Sequence, residues 1–497
     1  MDISFESESL RYYEALPPAV CTHEETTELI VPDVMPDVGS ILLTDGVALL
    51  RGKEAQKDKL LVSGVCELCV LYQPEEGGGL RRLQLEAPFE AVCDAPGLTE
   101  LARTVVSLRL ISAETRMLNS RKLLLRAEVL ITGCGYLQKQ LRWNVRCTGE
   151  TELEVLQESR KFCPITEVTE KTFSAGESFA LPGGKLPVER ILNTRVALRP
   201  EESSTVGAKL ILRGSMTAEV CYISGDGELD SADFRTPYSV ILELEGYREG
   251  SLAQAELCLT GLHVDVPDSG SIVVEVGAVA QAVLRSPVQL SWISDAYSTQ
   301  WAMDGSYESV ELETESQQSL LEDSLRLNLE GLRAPRSVSD VSLMLSRPRK
   351  EEGQYKVTVT ARALCSDESG AVTVLSGRGE AHCPAPQAGQ SLRVQTGAVY
   401  AAMSGSGAEL RIPVSFRTVG GERQKLKLLT QARLDTERPA IDAGIPSVSV
   451  LRLAEGESLW SLGKRRAVSQ QLLRQVNELG PEEQPGAGQL LLIARQR

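Results

Sequence analysis

"DKLLVSGVCELCVLY" (residues 58–72) is the stretch that decides the fold of this 497-residue chain. It is rich in Val, Leu and Cys with polar or small residues between them, which is typical of a strand. "AKLILRGSMTAEVCYI" (residues 208–223) repeats the pattern with Lys, Gly and Tyr at positions shifted by 150. The two stretches therefore predict one β unit that occurs at least twice.

The match between the two copies continues downstream. Pro88-Phe89 corresponds to Pro237-Tyr238, and the alternating apolar residues at 123–129 correspond to those at 272–278, both with a shift of 149. Such a long shared register is typical of a duplicated domain rather than of two similar strands.

A third and weaker copy is predicted from a strand at 355–365, the turn "SDESG" and a late strand at 408–418. Period-two strands and turns rich in Gly, Asp and Ser favour a two-layer sandwich or a barrel. We therefore predict a mainly β fold of tandem β-sandwich or barrel-like repeat domains. Their limits are 1–150, 151–300 and, for the degenerate third copy, 301–440.

The polar stretches between the copies, around residues 148–172 and 295–322, are predicted to be connecting ribbons or short helices. A small C-terminal module of two strands and two helices is predicted over residues 445–497.

Composition limits the classes of partner. The net charge of −16 comes without a compensating basic tract, which argues against nucleic acid or an anionic membrane. No apolar run approaches the ~20 residues of a membrane span, and residues 1–18 are acidic and lack the apolar core of a signal peptide. We expect a cytoplasmic protein.

No residue pattern points to catalysis, a cofactor or a metal. Cys66 and Cys69 are three positions apart in a predicted strand, so their side chains should lie on opposite faces. Three histidines, and the absence of a phosphate-binding glycine loop, leave little for catalysis. The acidic turn at 224–234 lacks the spacing of a calcium loop. We predict no enzyme activity, and eleven reduced cysteines.

The C-terminal stretch "AEGESLWSLGKRRAVSQQLLRQVNELG" (residues 454–480) has a different period. Ser458 and Ser469 are placed to cap two short helices. Their apolar positions are Leu459 and Leu462 in the first helix and Leu472, Leu473 and Val476 in the second.

Residues 456–464, Gly-Glu-Ser-Leu-Trp-Ser-Leu-Gly-Lys, resemble the opening of a LysM module, which usually reads Gly-Asp-Thr-Leu-Trp-x-Ile-Ala-Lys. Asn477 stands where these modules carry an Asn, and residues 488–493 resemble their ending, although Ala487 and Ala494 replace the family's prolines. The resemblance implies a βααβ fold that binds N-acetylglucosamine polymers or, in some modules, proteins. It implies a partner- or glycan-binding site at Gly456, Glu457, Ser458, Leu459, Trp460, Lys464, Asn477, Glu478, Leu479, Gly480 and Pro481.

Trp460 allows two interpretations. It lies one position away from the apolar stripe of Leu459 and Leu462, so it either packs at the edge of the core or is an exposed anchor for a partner. Lys464, one helical turn later, should lie on the same face as Trp460.

The first β unit resembles the SPOCS domain of sporulation and spore-coat proteins. The resemblance rests on "ELIVPDVMPDVGSIL" (residues 28–42), the strand around Gly64 and Pro88-Phe89. "LPGGKLPVERIL" (181–192) and "DAYST" (295–299) agree with it in the second unit. Several such domains followed by one LysM module are similar to the SipL type of spore coat morphogenesis protein.

This resemblance implies a non-catalytic scaffold or adaptor on the mother-cell side of the forespore surface. The LysM module would then dock a protein partner, the ATPase of the coat's basement layer. The alternative is a peptidoglycan-binding protein in which the LysM module binds glycan. We favour the protein partner because no export signal was found.

Overall fold

The fold is known from a computed structural model. It describes residues 3–148, 153–314, 317–331, 335–385, 391–405, 407–441, 446–481 and 483–495. The chain is mainly β, and the described helices are two short ones near the C-terminus.

The first segment of the chain holds seven strands. They are β1 (Ser4–Ala15), β2 (Ala19–Ile30), β3 (Val38–Gln56), β4 (Lys59–Pro74), β5 (Arg81–Asp94), β6 (Arg103–Asn119) and β7 (Lys122–Thr148). Strands β3, β4 and β5 form an antiparallel meander. Strands β2 and β6 flank the first half of β7, and β1 pairs with its second half.

The second segment holds eight strands. They are β8 (Leu153–Phe162), β9 (Ile165–Ala180), β10 (Val188–Val206), β11 (Lys209–Ser224), β12 (Leu229–Glu243), β13 (Leu252–Asp268), β14 (Ser271–Arg285) and β15 (Val288–Ser298). Strands β10 to β12 form a meander, β9 and β13 flank β14, and β8 pairs with β15. The order of pairings is that of the first segment, with the long β7 divided into β14 and β15.

The third segment holds ten strands. They are β16 (Trp301–Glu313), β17 (Gln317–Glu330), β18 (Ser337–Leu345), β19 (Arg349–Glu351), β20 (Gln354–Ser366), β21 (Val372–Pro384), β22 (Ser391–Thr396), β23 (Tyr400–Ser404), β24 (Gly407–Gly420) and β25 (Arg423–Pro439). Strands β18, β20 and β21 form the meander, and β19 extends it. Strands β17, β22 and β23 pair with β24, and β16 pairs with β25.

The central strands of the first two meanders each carry a glycine at a position where a larger side chain would clash with its neighbours. Gly64 lies opposite Phe89, and a Cβ at Gly64 would come within 2.5 Å of that ring and 2.6 Å of the Leu49 carbonyl oxygen. Gly214 lies opposite Tyr238, and its Cβ would come within 2.6 Å of the phenol oxygen. Each glycine therefore makes room for an aromatic ring to lie over the neighbouring strand.

The third meander has its glycine on a different strand. Val359 occupies the central strand, and Gly379 lies opposite it on β21. A Cβ at Gly379 would come within 2.5 Å of the Leu327 side chain. Gly379 therefore makes room for leucine side chains of β17, and not for an aromatic ring on the paired strand as Gly64 and Gly214 do.

Three two-stranded ribbons, β1/β7, β8/β15 and β16/β25, pack against one another. Trp143 donates its indole N–H to the Ser291 carbonyl oxygen at 3.0 Å, and Trp292 donates to that of Lys427 at 3.1 Å. The shared core is Leu10, Leu141, Trp143, Phe162, Val288, Leu290, Trp292, Leu312, Leu426 and Leu428. Within the stretches predicted as ribbons or short helices, β8 and β16 are strands of these ribbons, whereas residues 165–172 belong to β9 and residues 317–322 to β17, which pair with β14 and β24.

A charged cluster joins the three meanders, and we call it the junction. Arg195 on β10 forms ion pairs with Asp45 on β3, at 3.4 Å, and with Asp340 on β18. Asn193 donates hydrogen bonds to the same two carboxylates at 3.1 and 3.0 Å. Burial alone would lower the pKa of Arg195, but Asp340 and Asp45 hold it above its ordinary value.

The prediction that all cysteines are free is wrong at one pair. Cys21 on β2 and Cys93 on β5 form a disulfide with Cα atoms 5.5 Å apart, the usual range for this bond. The pair joins the two edge strands that close the first unit, a proximity that the sequence pattern did not indicate. Cys66 and Cys69 lie on opposite faces of β4, as predicted, and burial raises the pKa of Cys66 to about 12.

The predicted domain limits stay predictions. The boundary between residues 150 and 151 lies outside the described residues, and so does residue 445, where the C-terminal module was predicted to begin.

Candidate functional site

The C-terminal module consists of β26 (Val448–Arg452), α1 (Leu459–Arg466), α2 (Gln470–Val476) and β27 (Leu490–Ala494). The two strands pair antiparallel, with Val450 opposite Leu492. One face of this pair packs with the helices in a core of Leu453, Leu459, Leu462, Val468, Leu473, Leu491 and Ile493.

Both predicted helix caps are confirmed. The Ser458 hydroxyl accepts the N–H of Ser461 at 3.2 Å, and the Ser469 hydroxyl accepts that of Leu472 at 3.2 Å. Each bond satisfies a main-chain donor that the first turn of a helix leaves open.

The first predicted loop residues mostly have structural roles. Glu457 accepts the N–H of Ala454 at 3.1 Å and forms an ion pair with Arg465 at 2.7 Å. Leu459 lies in the core of the module. Gly456 is exposed, with a φ of 75° that favours glycine.

The side chain of Asn477 joins the end of α2 to β27 within the module. Its amide nitrogen donates to the carbonyl oxygens of Leu473, at 2.8 Å, and of Leu492, at 2.7 Å. Its amide oxygen accepts the N–H of Leu492 at 2.7 Å. The side chain therefore pairs with the outer edge of β27 as a neighbouring strand would.

The rest of the second predicted loop is ordered by Arg474, which donates to the Gly480 carbonyl oxygen at 2.6 Å. Leu479 packs against the core of the module, whereas Glu478 and Pro481 are exposed.

Trp460 and Lys464 lie against the ribbons, at Asp295. The Trp460 indole N–H donates to one carboxylate oxygen of Asp295 at 2.8 Å, and the Lys464 ammonium donates to the other at 2.6 Å. The Tyr307 hydroxyl also donates to Asp295, at 2.5 Å. The Trp460 ring packs edge-on against Tyr297, with centroids 4.8 Å apart. We call this set of contacts the docking contact.

Asp295 is the centre of this contact. Its side chain is 12% exposed, against 40% for Lys464. Burial would raise the pKa of Asp295, but the hydrogen bonds from Lys464, Tyr307 and Trp460 outweigh it and hold the pKa below its ordinary value. The carboxylate is therefore ionised, and both of its oxygens accept hydrogen bonds in the docking contact.

A second set of bonds joins the segment after α1 and the start of α2 to β15 and β8. The Tyr297 hydroxyl donates to the Val468 carbonyl oxygen at 2.8 Å. A Cβ at Gly463 would come within 2.5 Å of that hydroxyl and 2.8 Å of that carbonyl. Gly463 therefore leaves room for the Tyr297 hydroxyl beside α1. The Glu154 carboxylate also accepts the N–H of Gln470 at 3.2 Å.

Residues 37–118 match the family model described as SipL, SPOCS domain.

This SPOCS-domain segment runs from β3 into β6 and includes the whole first meander, with Asp45 and Gly64. The match supports a SipL-like family and suggests a role related to the spore coat. Comparison with curated proteins and with solved structures gave no match.

The prediction that Trp460 and Lys464 share one face of α1 is confirmed, since both reach Asp295. Trp460 is half-buried, at the edge of the module and against the ribbons. The sequence pattern did not indicate Asp295 and Tyr297 as contact residues. Both stand in "DAYST" (residues 295–299), which resembles the SPOCS domain, and no local pattern connects this segment with α1.

No helix among the described residues is long and apolar enough to span a membrane. In the same part of the chain, no group of three or more His, Cys, Asp or Glu side chains is placed to hold a metal ion.

Proposed function

We propose that this chain is a non-catalytic scaffold and adaptor in spore coat morphogenesis. The observation that carries the proposal is the SPOCS-domain match over residues 37–118. In this proposal the β units form the body, on the mother-cell side of the forespore surface. The C-terminal part is a LysM module that docks a protein partner, the ATPase of the coat's basement layer.

The body, in the same proposal, contains three copies of one unit: β1–β7, β8–β15 and β16–β25. The junction supports this. Asp45, Arg195 and Asp340 each stand five residues before the residue that pairs with Gly64, Gly214 or Val359. One position of the unit thus supplies all three charges of the junction, and the copies are fixed to each other by their own equivalent residues.

Two features of the module favour a protein partner over glycan. The helix face of Trp460 and Lys464 already contacts a carboxylate and an aromatic ring of polypeptide, at Asp295 and Tyr297. The Asn477 amide, a residue of the predicted glycan site, uses its donor and acceptor groups within the module.

The test is binding of the purified coat basement-layer ATPase, with purified peptidoglycan in parallel. The full-length chain should bind the ATPase, and a chain that ends at residue 441 should bind it at least about tenfold more weakly, a difference of about 1.4 kcal/mol. Peptidoglycan should sediment neither protein. Tight glycan binding without ATPase binding would move the proposal to the peptidoglycan-binding alternative, and binding of neither would reject the adaptor role.

A further inference from the structure

We propose that β26 is a docking edge for an extended segment of a protein partner, which joins the C-terminal sheet as a third strand. The segment that fits has alternating apolar residues and an acidic residue near Arg452. This inference rests on the proposed function, because it names the surface through which the module docks its partner.

The main chain of β26 has an open side. The N–H of Arg495 donates to the Ser447 carbonyl oxygen, and the N–H of Leu453 donates to that of Gln489, both at 2.9 Å. Main-chain groups point to alternate sides along a strand, so residues 447, 449, 451 and 453 face β27. The N–H and C=O groups of residues 448, 450 and 452 therefore point away from it, and no described residue binds them.

An apolar surface lies beside this open edge. Val448, Val450, Leu490 and Leu492 are 63%, 59%, 62% and 37% exposed. Val450 and Leu492 are directly paired, and the other two stand two positions away along their strands, so all four share the outer face of the sheet. A strand added beside β26 would place every second side chain next to this face, as in known strand-addition complexes.

The other edge of the sheet is closed. Asn477 binds both main-chain groups of Leu492, so β27 cannot accept a strand at its centre. The contact with the ribbons uses Trp460 and Lys464 on α1. The edge of β26 is therefore open while the module is docked on its own chain.

The positive charge of Arg452 indicates which kind of segment binds this edge. Arg452 is exposed at the end of β26, and no carboxylate among the described residues forms an ion pair with it. A second copy of β26, "VSVLR", contains no acidic residue. A second β26 paired on this edge would bring no carboxylate to Arg452, whereas a segment of another protein with an acidic residue at this position would, so the charge favours a different protein as the occupant.

The test uses two blocked peptides of alternating Val and Thr, one with Glu at both ends and one with Lys at both ends, added to the full-length chain. Amide hydrogen exchange is read at residues 448, 450 and 452. The Glu peptide should slow exchange of these amides by about tenfold or more and the Lys peptide by less, because a bonded amide exchanges only when the bond opens. Arg452→Glu should reverse the preference.

Val450→Pro is the decisive variant, because it removes a donor on the open edge and leaves the bonds to β27 in place. It should abolish the slowing at residues 448 and 452, the two amides of this set that the variant keeps. Val450→Lys, which keeps the donor but places a charge on the apolar face, should weaken the slowing and serves if the proline variant is unfolded. No slowing at these three amides with either peptide, or slowing that survives both variants, would overturn the proposal.

Two further outcomes separate this inference from the proposed function. Slowing that appears without peptide as the protein concentration rises would identify a second copy as the occupant and reject the acidic segment. If the Glu peptide binds at β26 but the ATPase does not bind the chain, the edge stands and the adaptor role fails.

Discussion

The junction and the docking contact both place carboxylates against a cation, but water reaches them to different degrees. The side chains of Asp45 and Asp340 are 6% and 4% exposed around Arg195. At the docking contact the side chain of Asp295 is 12% exposed and that of Lys464 is 40% exposed, against 22% for Arg195. Removal of one partner from a buried ion pair leaves an uncompensated charge, whereas an exposed pair gains little. We therefore expect loss of the charge pairing to cost more stability at the junction than at the docking contact.

The largest effect is expected from Arg195→Met, which leaves two buried carboxylates without their cation. The free energy of unfolding should fall by about 3–5 kcal/mol, measured by denaturant unfolding of the full chain. The matched control is Arg213→Met, on β11 in the same unit, whose pair with Glu202 is more than half exposed. A similar loss in both variants would contradict the distinction between buried and exposed pairs.

A rescue sharpens this prediction. Addition of Asp45→Asn and Asp340→Asn to Arg195→Met removes the uncompensated charges, so a substantial part of the lost stability should return. If stability falls further instead, the junction acts through the shape of its side chains rather than through charge.

Gly463→Ala should give the next largest effect. The new Cβ would meet the Tyr297 hydroxyl and the Val468 carbonyl, and such overpacking costs about 1–3 kcal/mol. Calorimetry should show the module melting in a separate, earlier transition. Gly486→Ala, in the same module but with no atom within 4 Å of the new Cβ, should leave the melting curve unchanged. Equal curves for the two variants would refute the close approach of Tyr297.

A smaller effect is expected from Asp295→Asn. The amide oxygen can still accept the Trp460 N–H, but the charge that attracts Lys464 is lost, and for such a part-exposed pair the cost is about 1 kcal/mol or less. Fluorine NMR of the chain labelled with 5-fluorotryptophan should show the Trp460 resonance shifted toward its position in the unfolded chain. Asp304→Asn, an exposed carboxylate on β16, is the control and should not move this resonance.

The smallest effect concerns pH. The pKa of Asp295 in the folded chain lies below its ordinary value, so its contribution is complete above the ordinary value of about 4. The contribution is lost as the pH falls through the lowered pKa, because protonation removes the charge that Lys464 binds. The Trp460 resonance should move in this acidic window in the native chain and stay constant there in Asp295→Asn. Equal titration of both proteins would exclude Asp295 as the titrating group.

Local patterns gave the strands, the caps at Ser458 and Ser469, and the Gly64 and Gly214 positions, because each depends on neighbours close in sequence. The docking contact joins Asp295 and Lys464 across 169 positions, and the disulfide joins Cys21 and Cys93 across 72. For both pairs, the sequence around one residue does not indicate which distant residue it contacts. In the third segment Val359 stands in the central strand of the meander, where the first two meanders have Gly64 and Gly214, so the sequence similarity is weaker there although these three strands pair in the same order.

Asn477 has a consequence for stoichiometry. A two-stranded sheet with both edges open can add strands on either side and grow into a ribbon of many molecules. Because the Asn477 amide occupies one edge at Leu492, the strand addition proposed at β26 is limited to one strand per module. Such a module would hold its partner in a one-to-one ratio and would not polymerise through this sheet.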